Sequence, residues 1–281
     1  MSTGIVMEGG AMRGMFTAGV LDVMMENGIG FDGAVGVSAG AVFGCNLKSK
    51  QIGRAIRYNK RFCKDWRYCS VWSLILTGNL FGTEMCYEKI PFHYDPFDLK
   101  TYRDNPMPLY AVMTDVDTGK AVYKNLKEGS GIDMLYFRGS ASMPIASRPV
   151  EVLGHRYLDG GIADSIPLRF MQKKGYEKNV VVLTQPPEYK KGPARDMRVI
   201  GAFLRKYPAM VRAIGRRHIM YNKELAYIKR CAADGNTFVI QPSESLHINH
   251  TEHDPEELQR VYDIGRRTME GKLTELKDFI L

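Results

Sequence analysis

The sequence predicts an α/β protein in which one domain holds a central, largely parallel sheet between helices. Two strand–loop–helix units open the chain in succession, and further strand patterns alternate with helical ones after them. Of the 281 residues, 44% are hydrophobic and 25% are charged, which is enough apolar material for a substantial core. This composition excludes disordered and fibrous proteins.

The two opening units share one order of apolar run, glycine-containing turn and apolar helix. Gly4–Met7 predicts a strand, 8–14 a glycine-rich loop, and the residues from Met15 a helix. Ala34–Val37 predicts the second strand, which turns into another helix at Ser38. Further strands are predicted at Leu109–Thr114, Ala121–Tyr123, Val150–Leu153, Val180–Thr184 and Thr237–Ile240.

Helices are predicted between several of these strands and at the C-terminal end. Residues 50–64 predict a basic surface helix, and 71–82 form the most apolar short run, which is too short to span a bilayer. The last helix has the clearest start, because Asp254 suits the N-cap, Pro255 the first helical position and Glu257 the capping box. We therefore expect a helical C-terminal region.

The charge distribution and the cysteines limit which metals, cofactors and binding partners are expected. The five cysteines have no CxxC spacing, so we expect reduced thiols, no zinc site and no cofactor. The start of the chain lacks the pattern of a signal peptide, which predicts a cytoplasmic protein. The net charge is +8, and 190–230 holds twelve Lys and Arg against two acidic residues. One segment therefore carries the basic excess.

The segment Gly36–Gly40 matches the pattern G-x-S-x-G. Its glycines allow a strand to turn sharply into a helix and hold the oxygen of Ser38 at the apex, where the helix N-terminus favours developing negative charge. A plain N-cap role for Ser38 is the alternative. The predicted strand before it and helix after it favour a nucleophile.

The loop Glu8–Gly14 can aim several backbone N–H groups at one point. That arrangement builds either a phosphate cradle or an oxyanion hole. Dinucleotide binding requires glycine at the third position of G-x-G-x-x-G, where this chain has Ala11, and no Gly-Lys-Ser/Thr follows. A nucleotide-binding enzyme stays open as an alternative.

A third motif, Asp159–Gly161, follows the strand-like Arg156–Leu158. An aspartate before two glycines is most often a turn. A serine nucleophile needs a base, however, and an aspartate at a strand end can serve once partial burial raises its pKa.

Together these motifs resemble the bacterial patatin-like phospholipases. That family has a glycine-rich D/E-G-G-G-x-R-G loop, then G-x-S-x-G about 25 residues later, then D-G-G/A, and here Glu8–Gly14, Gly36–Gly40 and Asp159–Gly161 match in order and spacing. The segment Ser140–Pro144 is also similar. The resemblance covers roughly 4–185.

The resemblance implies the patatin-like fold and a serine acyl hydrolase acting on lipid or other acyl esters. It implies Ser38 as nucleophile and Asp159 as base, without metal or cofactor. The remaining site residues that it implies are, for the oxyanion hole, Gly9, Gly10, Ala11, Met12, Arg13 and Gly14; for the nucleophile elbow, Gly36, Val37, Ala39 and Gly40; and for the DGG motif, Gly160 and Gly161.

One departure concerns Ala11, which stands where the family often has its third glycine. If that position needs positive φ, alanine is strained by about 1 kcal/mol. A weak boundary at Gln185–Pro187 divides the chain into an expected catalytic core, 1–185, and a mostly helical extension, 186–281, that packs on the core and contains at least one further strand.

The runner-up is an α/β-hydrolase with a Ser/Asp/His triad. There the serine follows several strands, whereas Ser38 follows only one βα unit. Asp115 and Asp117 predict a tight turn rather than a metal pair. We interpret His155 as a structural strand residue. The other candidate histidines are His218, His247, His250 and His253, of which the last three indicate a solvated loop.

Two hypotheses concern the surface of the protein and its contact with lipid. Residues 190–230, and 203–230 in particular, either contact an anionic membrane peripherally or form a solvated helix whose apolar side packs on the domain. A non-catalytic membrane-binding protein is a further alternative, and no nucleic-acid partner is expected. Residues 71–81 are predicted to line or cover an acyl pocket, with Leu76 and Phe81 as candidates.

Overall fold

The computed structural model describes residues 1–280 and contains one eight-stranded mixed sheet. Five strands run parallel in the order β3-β2-β1-β7-β8, and β4, β5 and β6 complete the sheet beside β3. The strands are Thr3–Met7 (β1), Gly33–Val37 (β2), Leu109–Asp115 (β3), Ala121–Asn125 (β4), Val150–Val152 (β5), His155–Asp159 (β6), Lys178–Val182 (β7) and Thr237–Ile240 (β8).

Helices cover both faces of this sheet. The α-helices are Gly14–Glu26 (α1), Ala39–Ser49 (α2), Arg54–Phe62 (α3), Val71–Thr77 (α4), Leu99–Asp104 (α5), Ile132–Ser140 (α6), Leu168–Lys173 (α7), Met197–Phe203 (α8), Pro208–Ala233 (α9), Pro255–Glu270 (α10) and Leu273–Ile280 (α11). Short 3₁₀ helices occupy Ala11–Arg13 and Gly160–Ile162, and a π-helix occupies Met85–Tyr94. The predicted fold class, with its helical C-terminal region, is confirmed.

The two core layers follow from the alternation of side chains along β1. Ile5 and Met7 point into the larger layer, which contains α1, α2 and α10, while Val6 points into the opposite layer with α9. Strands buried on both faces read as continuous apolar runs, and that is how β1 and β7 appear in the sequence.

The register along β3 positions the candidate site. One edge of β3 pairs with β4, and the other edge pairs first with β2, up to Val37 opposite Val112, and then with β6, from Asp159 opposite Met113. The end of β2 and the end of β6 therefore meet on the same edge. This brings Ser38 and Asp159 together although 120 residues of chain separate them.

Two predicted segments differ in part from expectation. The 71–82 run contains α4, whose Leu76, Val71, Trp72 and Ile75 are 65–67% exposed, so Leu76 does not line a pocket, whereas Phe81 lines the apolar pocket described below. The basic segment 50–64 forms α3, whose Arg54 is buried and hydrogen-bonds the carbonyl of Asp95 rather than facing solvent.

The last long helix begins as predicted, with one difference. The Asp254 side chain accepts from the N–H of Glu256 at the start of α10, and Pro255 is the first helical residue. Glu257 does not complete a capping box, because it binds Arg260 one turn later. Within residues 1–280, no helix combines the length and the apolar character required to cross a bilayer.

Candidate active site

Ser38 lies at a sharp turn between β2 and α2. Its backbone adopts φ 54° and ψ −123°, and its side chain makes no capping hydrogen bond. A Cβ on Gly36 would lie 2.5 Å from the nitrogen of Ala41, and one on Gly40 would lie 2.3 Å from the carbonyl oxygen of Met7. The turn closes this tightly only because both positions are glycine, and it leaves the serine hydroxyl free for chemistry.

Asp159 ends β6 and is buried, with its carboxylate beside Ser38. Its Oδ1 accepts from the N–H of Gly161 at 2.8 Å, and its backbone is held by the Thr114 hydroxyl and by the carbonyl of Ser142. Burial raises the pKa of Asp159, while the Ser38 hydroxyl, the Arg217 charge and the Gly161 N–H oppose that rise. A raised pKa makes the carboxylate a better proton acceptor than an exposed aspartate.

A buried serine fixes the backbone of the turn. The N–H of Ser38 donates to Ser140 Oγ at 2.9 Å, and Ser140 Oγ donates to the carbonyl of Val112 on β3 at 2.7 Å. Because this N–H already has an acceptor, donors for a developing oxyanion have to come from elsewhere. Nothing in the G-x-S-x-G pattern itself indicates Ser140.

The loop before α1 lies directly against Ser38 and offers such donors. A Cβ on Gly9 would lie 2.9 Å from the Cβ of Ser38, so the two backbones are in contact. Within residues 1–280, the N–H groups of Gly10, Ala11 and Met12 donate no hydrogen bond to the protein. Unpaired donors beside a nucleophile are the arrangement that an oxyanion hole requires.

Ala11 occupies the left-handed region at φ 49°. An alanine there costs about 1–2 kcal/mol relative to a relaxed conformation. The strain expected for alanine in the family's glycine position is therefore present. Met12 is buried beneath this loop and Arg13 follows it into the polar cleft described below.

Glu8 ties the start of this loop to two distant elements. Its Oε2 accepts from the backbone N–H of Thr184 at 2.6 Å, and its Oε1 accepts from the Tyr221 hydroxyl of α9 at 2.6 Å. Because both carboxylate oxygens have donors, this buried charge serves to position the loop.

Two cavities meet at Ser38. An apolar pocket of about 80 Å³ runs from Ser38 past Val42, Phe43 and Phe81. A polar cleft of about 360 Å³ opens from Ser38 toward Asp159. The cleft is also lined by side chains from beyond residue 185, namely Gln185, Tyr189, Lys191, Arg217, Tyr221 and His250.

The structure places some of the other candidate residues away from Ser38 and others in the polar cleft. His155 is exposed, and Asp115 accepts from the N–H groups of Asp117 and Thr118, which makes the predicted turn. His250 lies at the mouth of the polar cleft, where its Nε2 is 3.2 Å from Arg13 Nη1. It therefore belongs to the site region rather than to a detached loop. Sequence reasoning also missed Lys191, because a lysine in a basic segment carries no local signal of burial.

Comparison with known proteins shows which family profiles the chain matches. A profile described as "Patatin-like phospholipase" matches residues 5–171, and one described as "Domain of unknown function (DUF6363)" matches 207–281. The "Uncharacterized protein YjjU" of Escherichia coli (strain K12) is 27% identical over 282 residues, an alignment covering 93% of this chain and 74% of that protein.

Two further matches are a relative aligned over a shorter stretch and a solved structure. The "Lysophospholipase NTE1" of Debaryomyces hansenii is 28% identical over 186 residues, covering 64% of this chain and only 12% of that protein. The crystal structure of VipD from Legionella pneumophila aligns with a TM-score of 0.44 and 13% identity, over 96% of this chain and 67% of that one. Since the phospholipase profile matches more than half of the sequence, the chain belongs to the patatin-like phospholipase family.

Proposed function

We propose that this protein hydrolyses lipid acyl esters through an acyl-enzyme on Ser38, with Asp159 as the base. The observation that carries the proposal is the position of the Ser38 hydroxyl beside the buried Asp159 carboxylate, at the junction of an apolar pocket and a polar cleft. His250 also lines the cleft, but its Nε2 lies 3.2 Å from Arg13 Nη1, so we assign acceptance of the serine proton to the Asp159 carboxylate itself.

In the first step Ser38 Oγ attacks the ester carbonyl as its proton passes to Asp159. The carbonyl oxygen becomes negatively charged, and the N–H groups of Gly10, Ala11 and Met12 are the donors available to it. The tetrahedral intermediate then collapses. The C–O bond to the alcohol breaks, and Asp159 returns the proton to the leaving oxygen.

In the second step water cleaves the acyl-enzyme. Asp159 removes a proton from water, the hydroxide adds to the acyl carbonyl, and Ser38 leaves with that proton to restore the free enzyme. The polar cleft beside Asp159 has room for this water. The cycle consumes one ester and one water and releases one carboxylic acid and one alcohol.

The lipid substrate class rests on the pocket and on the relatives. Phe43 and Phe81 give the acyl chain an apolar wall, and burying each methylene there contributes about 0.8 kcal/mol. NTE1 is named a lysophospholipase, and the alignment with this chain covers 12% of that protein. We propose single-chain phospholipids and related esters as substrates.

A serine-directed fluorophosphonate probe tests the nucleophile. We expect mass spectrometry to place the label on Ser38, and Ser38→Ala and Asp159→Asn each to lose at least about 1,000-fold in ester hydrolysis. The double variant should lose little more than either single one, since the two residues act as one unit. Labelling at another serine would contradict the proposal.

The same assay separates the dyad from the Ser/Asp/His alternative. A Ser/Asp/His triad would need a histidine near Asp159, and His250 is the histidine that lines the same cleft. Its pKa is lowered by burial and by Arg13, Lys191 and Arg217, and its Nε2 faces Arg13. We expect His250→Ala to keep more than about a tenth of the activity, whereas a folded variant as inactive as Ser38→Ala would favour the triad.

We also propose peripheral contact with anionic membranes through 190–230. Most of α9 packs its apolar side on the core, with Met210, Ile214 and Tyr221 buried, but α8 leaves Val199 and Phe203 exposed among basic residues. Exposed apolar and basic side chains together suit an anionic lipid surface. Sedimentation with equal amounts of anionic and neutral vesicles at low salt tests this, and equal binding would contradict it.

A further inference from the structure

Three cationic side chains line the polar cleft beside Ser38. Arg13 comes from the loop before α1, Lys191 from the segment before α8, and Arg217 from α9, and we call these three the cationic cluster. Within residues 1–280, none of them forms an ion pair with a carboxylate. The cluster is therefore not a set of ordinary surface ion pairs.

The acidic groups of the cleft already have other partners. Glu8 accepts from Thr184 and Tyr221, and Asp159 accepts from Gly161 and lies beside Ser38. These bonds orient both carboxylates toward the catalytic turn and its loop. The cleft therefore contains three cationic side chains and two carboxylates, and the cationic side chains are in excess.

Lys191 and Arg217 are held in place. The backbone N–H of Lys191 donates to Asn222 of α9, the Asn222 side chain donates to the carbonyl of Lys191, and Lys191 Nζ lies 4.7 Å from the ring centre of Tyr221. Arg217 Nε donates to the carbonyl of Gly161, next to Asp159. The Nε of Arg13 is buried and has no hydrogen-bond partner within the described residues. A fixed set of cationic donors is suited to a bound anion.

The mutual repulsion of these groups supports the same conclusion. Burial, followed by the charges of Arg217 and Arg13, lowers the pKa of Lys191 to about 8, while the charge of Glu8 opposes this shift. Like charges this close are costly in a partly desolvated cleft. An anion bound among them would remove that cost and supply the acceptor that Arg13 Nε lacks.

We propose that the cationic cluster is an anion subsite for the alcohol part of the ester, so that the enzyme prefers acyl esters whose alcohol carries a phosphate group. This inference rests on the proposed function. Ala11, Ser38 and Met143 line both cavities, so an ester carbonyl at Ser38 with its chain in the apolar pocket directs its alcohol into the cleft. A cleft of about 360 Å³ accommodates a glycerophosphate.

The kinetic test compares two esters of one acyl chain, 1-decanoylglycerol 3-phosphate and 1-decanoylglycerol, below their aggregation limits. We expect a kcat/KM ratio of at least about 10 in favour of the phosphate ester, the effect of one charge-assisted contact. Lys191→Gln should reduce this ratio about tenfold. Lys190→Gln removes the same charge from an exposed neighbour outside the cleft and should leave the ratio unchanged.

A binding test keeps this inference separable from the proposed function. Calorimetry on the Ser38→Ala variant with glycerol 3-phosphate, glycerol and inorganic phosphate needs no turnover. We expect glycerol 3-phosphate to bind, glycerol not to bind, and Lys191→Gln in that background to weaken binding about tenfold. If neither ester is hydrolysed by the wild type while this binding pattern holds, the proposed function fails and the anion subsite stands.

Three results would overturn the proposal. These are equal kcat/KM for the two esters, glycerol 3-phosphate binding that Lys191→Gln does not alter, and a loss of discrimination in Lys190→Gln as large as in Lys191→Gln. Inorganic phosphate that binds as tightly as glycerol 3-phosphate, without discrimination between the esters, would indicate a free-anion site and also overturn it.

Discussion

At the residue scale, the candidate site concentrates unfavourable local states. Ser38 and Ala11 both have positive φ, and Asp159 is a buried carboxylate whose pKa is raised. Non-glycine residues in such conformations, and charges removed from water, persist only where the surrounding structure imposes them. Their coincidence around one hydroxyl is the pattern expected of a catalytic centre.

The pKa of Asp159 predicts how activity depends on pH. The base has to be ionised, and burial raises its pKa above the ordinary value of 3.8, so kcat/KM for a neutral ester should fall on an acid limb that lies above pH 3.8. A pH–rate profile with p-nitrophenyl esters measures this limb. A profile that stays flat down to pH 3.8 would contradict the role of Asp159 as base.

The same shift has a consequence for stability. A carboxyl whose pKa is raised on folding contributes stability that is complete below its unfolded pKa and is lost as pH rises through its folded pKa. At neutral pH the ionised Asp159 is therefore unfavourable, and Asp159→Asn should be at least as stable as the wild type in urea unfolding at pH 7. Ser38→Ala, which removes no charge, is the control.

At the element scale, the chain around α4 divides its apolar residues between the pocket and the surface. The helix itself is exposed, whereas Phe81 lines the apolar pocket beside Tyr68. An antiparallel backbone bridge between Cys69 and Phe81 joins the two ends of the segment that contains α4. This bridge holds Phe81 at the pocket while the helix stays at the surface. The sequence of an apolar segment does not show which of its residues face inward once its two ends are paired.

This division predicts different outcomes for two apolar truncations. Phe81→Ala enlarges the apolar pocket and should shift the preferred acyl chain of p-nitrophenyl esters by two or more carbons. Leu76→Ala changes an exposed side chain of the same segment and should leave the chain-length profile unchanged. An equal loss of activity at every chain length in Phe81→Ala would indicate a purely structural role for that residue.

At the scale of the whole molecule, the C-terminal part of the chain completes the site. From α9, Tyr221 holds Glu8 and Arg217 holds the turn after Asp159, while Lys191 precedes α8. β8 also extends the sheet beside β7. We propose 1–185 as the catalytic core and 186–281 as an extension packed on it that contributes side chains to the cleft.

A buried acid pair joins this extension to the core and makes its docking dependent on pH. Glu224 of α9 accepts from the N–H of Ile166, and Asp164 accepts from the Tyr123 hydroxyl of β4. Burial, followed by the Asp164 charge, raises the pKa of Glu224. Stability from this pair is complete below the ordinary Glu224 value of 4.5 and declines as pH rises, by up to about 1.4 kcal/mol per unit.

We therefore expect Glu224→Gln to flatten the decline of unfolding free energy between pH 6 and pH 9. Urea unfolding at several pH values measures it, and Glu244→Gln, which changes an exposed glutamate, is the matched control. A Glu224→Gln variant that follows the wild-type pH dependence would contradict the role of Glu224 in this decline.

The local geometry of the candidate site could be predicted from the sequence alone. The elbow at Gly36–Gly40, the loop at Glu8–Gly14 and the turn at Asp159–Gly161 depend on the backbone freedom of a few adjacent residues, which short patterns encode. Most strands were predictable for a similar reason, because those buried on both faces are continuous apolar runs.

Only the tertiary structure decided what surrounds Ser38. The pairing of β2 and β6 along one edge of β3 brings Asp159 to the serine, and the packing of α9 brings Arg217 into the cleft. In the sequence, Lys191 and Lys190 are adjacent and alike, yet one lines the cleft and the other is exposed. Long-range packing sets such differences, since burial and charge depend on residues far away in the chain.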